Sequence, residues 1–266
     1  MKVFTRRALA VALGLALQAG SVGAAEVKIE DPELQACMAR SLPQKAMTQK
    51  VTFTLYEGAD VIDSTSADLL WKRGEDGLSK VIVRVTAPAD RDGIAVLALE
   101  KPEGDPEFNV YMPETRKARR VAGRTIDASM FGTDFSYEDF SHFQGMTAEG
   151  GMKRLENEQV DGVENLVVEV TPGSEGTRYS RIVTWVEKER CALTKMAFFA
   201  KNGTPLKDLT VPRDDLKQMG ERWVPHKIVL EDHKRGRRTE LVVNEIAIDP
   251  DLNDNMFSVT RFGAGK

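Results

Sequence analysis

Five glycines sit where alternating apolar runs break off. Glu57-Gly58, Asp76-Gly77, Asp161-Gly162, Asn202-Gly203 and Arg235-Gly236 each separate two stretches of period two. Asn-Gly and Asp-Gly supply the positive φ values that tight hairpins demand, so each run turns straight back on its predecessor. Such a chain folds as an antiparallel meander and not as βαβ units. In "VTFTLYE", Val51, Phe53 and Leu55 alternate with Thr52, Thr54 and Tyr56, and "KVIVRV" sets Val81, Val83 and Val85 against Ile82 and Arg84. Similar runs are "ADLLWKR", "GIAVLAL", "FNVYM", "KARRVA", "NLVVEVTP", "RYSRIVTWVEK", "CALTKMAFFA", "RWVPHKIVLED" and "RTELVVNEIAI". About ten strands in one sheet must curl, because a flat sheet of that size exposes an apolar face. The runs "DLLW", "AVLAL", "NLVVEV" and "MAFFA" are apolar on both sides and need cover on both faces. A barrel closed over an inner helix or a ligand provides it. Ahead of the meander, "DPELQACMARSLPQKA" reads as a helix with Asp31 as N-cap and Pro32 in the first turn.

The first residues indicate export. "MKVFTRR" is a basic n-region, Ala8 to Leu17 a short apolar core, and "QAGSVGAA" a small-residue cleavage region. Residues 1–25 therefore read as a signal peptide cut after Ala24 or Ala25, and 26–266 as one mature domain. The Arg6-Arg7 pair is compatible with twin-arginine export, but a plain Sec n-region is the preferred reading. The apolar run falls short of the ~20 residues of a membrane span, and no later stretch reaches that length. No integral membrane segment is expected in the mature chain, no cysteine follows the cut to carry a lipid, and the periplasm is the expected location. Losing Lys2, Arg6 and Arg7 takes the formal charge from -4 to -7. An acidic chain lacks the basic face that phosphate contacts need, so nucleic acid is not an expected partner. The local basic clusters, Arg116 to Arg124 and Lys234 to Arg238, read as solvated strand faces and hairpin tips. Cys37 and Cys191 read as a disulfide in an oxidising compartment, the alternative being two buried thiols.

Catalytic signatures are missing. His142, His226 and His233 fit no metal-ligand spacing. There is no nucleophile elbow, phosphate loop, dinucleotide fingerprint or metalloprotease motif, and no cofactor is expected. "APADRDG" and "DPDLNDN" depart from the calcium-loop pattern and read as turns. A hydrolase reading has only Asp134, Glu138 and Asp139 to draw on, and carboxylate pairs four apart are common on helices.

Those acids lie in "GTDFSYEDF", residues 132–140. With its upstream sequence, "YMPETRKARRVAGRTIDASMFGTDFSYEDF", it resembles the block "YLP…KKVRRI…GSDFSYEDL" of the outer-membrane lipoprotein-sorting family, the LolA-like proteins. "VTAPADRDGIAVLALE", "VEKERCALTKMAFFAKNGTPLK" and "DLNDNMFSVTRF" are similar, in order, to further blocks of that family. The resemblance implies a half-open antiparallel β-barrel of about ten or eleven strands with helices plugging the concave face. It also implies an apolar cavity for lipid or lipoprotein acyl chains. The expected function is a lipid- or lipoprotein-binding carrier, not an enzyme, accompanying a membrane transporter of the resistance–nodulation–division type. The alternative is an accessory or envelope-sensor module that binds a protein partner through the same fold.

Against that expectation, Met130, Phe131, Phe135, Tyr137, Phe140, Phe143 and Met146 form a dense apolar set in one connecting segment, suited to a lid or plug. Ordinary core is the alternative for each. Phe53, Trp71, Trp185 and Phe198 are further candidates for the lining. Ser136 with Asp139, or Thr133 with Asp134, can cap a short helix, leaving the acids to keep its outer face wet. Arg84 either latches an inner helix or faces outward and snorkels.

Overall fold

The computed structural model describes residues 31–41, 43–146, 150–173 and 176–263. The expected export signal lies outside the described residues. Helix α1 (Pro32–Ser41) opens the fold, and Asp31 caps it by accepting from the backbone N–H groups of Glu33 and Leu34 at 2.9 and 3.0 Å. Six antiparallel strands follow: β1 (Ala46–Glu57), β2 (Asp60–Arg73), β3 (Ser79–Ala87), β4 (Ala95–Leu99), β5 (Glu107–Met112) and β6 (Lys117–Val121). A connecting segment holding the short helix α2 (Tyr137–Phe143) then leads into β7 (Gly150–Val160). After it come β8 (Val163–Pro172), β9 (Tyr179–Glu187), β10 (Ala192–Ala200) and β11 (Pro205–Thr210). A small hairpin, β12 (Leu216–Met219) and β13 (Arg222–Pro225), precedes β14 (Lys227–Asp232) and β15 (Arg237–Ile248).

Thirteen strands form one sheet in the order β6-β5-β4-β3-β2-β1-β15-β14-β11-β10-β9-β8-β7. The two halves of the meander join where β15 returns to pair with β1, Phe53 standing opposite Leu241. Because β6 and β7 do not pair, the barrel is half open, and the segment between them crosses its concave side. On one flank the gap narrows to contact: a Cβ built on Gly176 would stand 2.7 Å from the carbonyl oxygen of Gly123. The five predicted turn glycines all have positive φ, and at Asp161-Gly162 both residues do, at 51° and 76°. Those two angles give the strands the sense of turn that matches their twist.

The strand number exceeds the expected ten or eleven for physical reasons. Strand β7 is an exposed, highly charged edge with no apolar alternation to read. Strand β11 begins at Pro205 and turns Lys207, not an apolar residue, into the interior. "RWVPHKIVLED" is not one strand but two, β13 and β14, because the chain leaves the hairpin at Pro225 before joining the main sheet.

Both faces are covered. On the concave side, Val51, Phe53, Leu69, Trp71, Val81, Val83, Phe198 and Leu241 form the main core with the connecting segment. On the convex side, residues after β15 run back across β2 to β5, and Phe257 and Phe262 cover Leu70, Ile82, Ala95 and Leu97. Arg84 faces this outer strap, donating to the carbonyl of Phe262 at 2.5 Å. Of its two readings the outward one holds, with a latch to the strap and not to an inner helix.

Candidate functional site

The connecting segment makes its entry with a reversed turn. Phe131 and Gly132 both have positive φ, at 54° and 80°. Arg91 holds the turn by donating to the Phe131 carbonyl at 3.2 Å while pairing with both oxygens of Asp63 at 2.9 and 2.6 Å. The capping box of α2 closes behind it: Ser136 N–H donates to Asp139 at 2.8 Å, and Asp139 N–H to the Ser136 hydroxyl at 3.1 Å. Two backbone donors at the helix start are thereby satisfied reciprocally.

The acids of this segment do not face water, contrary to the sequence expectation. Asp134, Glu138 and Asp139 are 1%, 3% and 0% exposed. The reason is that the barrel wall brings cations and hydroxyls to them. Asp134 accepts from Arg237 at 2.7 Å, from Arg235 at 3.4 Å and from the Thr239 hydroxyl at 3.2 Å. These arginines belong to the Lys234–Arg238 cluster, so that hairpin is not merely a solvated tip. Asp139 accepts from Lys207 at 2.6 Å and from the Tyr179 hydroxyl at 2.5 Å, and Lys207 also reaches the Asp134 carbonyl at 2.5 Å. Burial alone would raise the Asp139 carboxyl, but Lys207 and the hydrogen bonds hold it below its ordinary value. Glu138 is different. Neither of its oxygens has a well-formed hydrogen bond. Burial pushes its carboxyl up to about 7, with Asp139 and Asp127 adding to the rise and Thr177 and Arg178 opposing it.

Around this polar anchor the aromatics fold inward. Phe135 packs edge-on against Phe53 at 6.1 Å, and Tyr137 against Phe108 at 5.6 Å. Met130, Phe135, Phe140, Met146, Phe53, Trp71 and Phe198 are all buried in the concave core, with Phe131, Tyr137 and Phe143 packed at its margin. Trp185 lies elsewhere. Its neighbours Thr184 and Val186 point to the concave side, so Trp185 occupies the opposite face, stacked with Lys195 and donating to Glu158 at 2.8 Å.

Beside the plug the concave face is not filled. A cavity of about 240 Å³ remains between the sheet and a roof made from three pieces: α1, the β12–β13 hairpin and the end of α2. Cys37 and Met38 of α1, Trp223 and Val224 of β13, and His142 and Phe143 of α2 form the roof. The floor comes from Met47, Leu69, Met196, Ile228, Leu241 and Val243. Of the eleven predicted lining or lid residues, Phe143 reaches this cavity, Trp185 lies on the opposite face, and the other nine belong to the packed core of plug and barrel wall beside it. Met38, Met47, Met196 and Trp223 were not singled out from the sequence, although flexible methionines on an otherwise alternating face are a readable sign of a repackable lining. His142 is partly accessible from the cavity, yet sufficiently enclosed that burial lowers its imidazole to about 4, against an upward pull from Asp139. It is neutral near pH 7 and offers one donor and one acceptor. A second, more open depression of about 290 Å³ lies at the β1 bulge beside the Lys50–Glu245 ion pair; its rim is charged and it has no roof.

Cys37 and Cys191 form a disulfide with a Cα–Cα distance of 4.8 Å. The bond fastens α1 to the turn between β9 and β10, and both cysteines border the cavity. Among the described residues no cluster of three or more metal-ligating side chains occurs, and no helix is long and apolar enough to cross a membrane.

A half-open β-barrel whose concave face carries a helix plug and a roofed apolar cavity defines the class of protein. The model of a family described only as an uncharacterized protein matches residues 77–263. The chain belongs to that family, and its fold is LolA-like. Its fold is shared by an outer membrane lipoprotein-sorting protein domain from Vibrio parahaemolyticus, at 23% identity and a TM-score of 0.75, over 85% of this chain and 94% of that one. A DUF1329 family protein from Desulfovibrio piger matches with the same identity, TM-score and coverage. A LolA superfamily protein from Nitrosomonas europaea follows at 20% identity and a TM-score of 0.65, over 85% of this chain and 96% of that one. No curated protein matches the chain in sequence.

Proposed function

We propose that the mature chain is a periplasmic carrier that shields acyl chains of a lipid or lipoprotein in its roofed cavity and works with an inner-membrane transporter of the resistance–nodulation–division type. The observation that carries this reading is the cavity itself: an apolar space kept open between a well-packed plug and a methionine-bearing wall. Protein interiors normally close such spaces, and a cavity lined by apolar groups offers nothing to water. The likeness in fold to a lipoprotein-sorting domain supports the same conclusion. The carboxylates that a hydrolase would use are otherwise committed: Asp134 and Asp139 anchor the plug, and Glu138 is buried outside the cavity lining. This supports carriage over bond chemistry. Mature protein purified without detergent should retain lipid in native mass spectrometry and bind a fluorescent fatty acid in a 1:1 ratio. If both measurements fail, the carrier reading falls.

A further inference from the structure

The size and the fastening of the cavity say what kind of cargo it takes, an inference that rests on the carrier reading. An engineered apolar cavity of about 150 Å³ is known to hold one benzene, six carbons. By that yardstick, 240 Å³ has room for roughly ten carbons. That is one chain segment. Two or three acyl chains need several times as much space.

A cavity can grow if its walls separate, and three methionines in the lining make local repacking easy. The wall that would have to lift is the roof. Its α1 is bolted to the opposite wall by Cys37–Cys191, at the border of the cavity. The same helix is held from outside the cavity by an ion pair of its N-cap, Asp31, with Arg154 at 2.8 Å. Leu34 adds a third hold, buried against Leu166 and Val168 of β8. On the other side, the β12–β13 hairpin lies against β10 and is pinned by Arg190, whose guanidinium stacks over Trp223 at 4.1 Å. Local side-chain rearrangement is available to this cavity, whereas lifting α1 would first have to break the disulfide.

We propose that the cavity takes a single acyl chain, and that the Cys37–Cys191 bond sets this limit by holding α1 as a fixed roof. The cargo class is then a single-chain amphiphile, such as a lysophospholipid or a monoacylated head. Lipids with two or three chains gain nothing from the additional chains.

The test compares two probes with one headgroup, decanoyl-lysophosphatidylcholine and didecanoylphosphatidylcholine, each kept below its micellar concentration. Titration calorimetry of the oxidised protein gives the affinity ratio, and native mass spectrometry the stoichiometry. A second ten-carbon chain, if buried, would multiply affinity by more than about a thousandfold. We expect the second chain to change affinity less than tenfold in the oxidised protein. A gain of tenfold or more overturns the single-chain limit. Reduction of the wild-type disulfide, and independently the paired change Cys37→Ser with Cys191→Ser, should bring out a gain of tenfold or more for the two-chain probe. If the reduced protein still shows none, the bond does not set the limit. The oxidised comparison decides the capacity even where the reduced forms do not fold. Binding of neither probe, nor of a fluorescent fatty acid, is a different result, and it removes the carrier reading itself.

Discussion

Glu138 shows how one side chain can work against the fold that holds it. Its carboxyl is ordinary, near 4.5, in an unfolded chain and rises to about 7 in the folded one. Below pH 4.5 both states are protonated and the group has no effect on stability. Between these values the unfolded chain ionises while the folded chain keeps its proton, so stability falls as pH rises and levels off above about 7. Glu138→Gln removes the titration and keeps the shape. The variant should match wild type near pH 4 and exceed it at pH 8 by roughly 3–4 kcal/mol, at about 1.4 kcal/mol per pH unit between 4.5 and about 7. Urea unfolding at the two pH values checks this, and an equal difference at both would show that Glu138 is not buried unpaired. In sequence, Glu138 and Asp139 look alike. The strands across the barrel separate them: Lys207 and Tyr179 reach Asp139 and leave Glu138 alone.

At the scale of elements, the readable signals were local. The Asp31 cap, the Ser136–Asp139 capping box and the turn glycines each depend on residues within four positions of one another. Strand β11 was hidden for the opposite reason. Lys207 breaks its alternation, and the partners that justify a buried lysine are 68 and 73 residues away. The outer strap was recognisable only as a closing segment, because nothing local marks Phe257 and Phe262 as cover for strands more than 150 residues earlier. That cover is structural. Phe262→Ala should destabilise the protein by about 3–5 kcal/mol, the usual cost of emptying a buried phenylalanine site, visible as a lower urea midpoint with the slope unchanged. A loss under about 1 kcal/mol would mean that the strap is dispensable.

For the molecule as a whole, stability should follow the order of the sheet. Strands β1, β2 and β15 are long, paired on both sides and central, whereas β6 and β7 each have one free edge. Native-state hydrogen exchange should therefore be slowest at amides of β1, β2 and β15 and fastest at β6 and β7, since local opening is easiest where fewest hydrogen bonds are shared. Uniform protection along the sheet would contradict this. The meander, the two apolar strand faces, the family block at 132–140 and the two helices were legible in the sequence, because period, turn chemistry and capping are carried by near neighbours. The tertiary structure alone decided that the acids of that block are buried and that most of its aromatics are plug and not lining. It also decided that the cavity lies beside them, under a disulfide-fastened roof. Each of those outcomes depends on which strand faces meet across the barrel. That is set by the register of β15 on β1 and by the path of the connecting segment, and no local stretch of sequence encodes either.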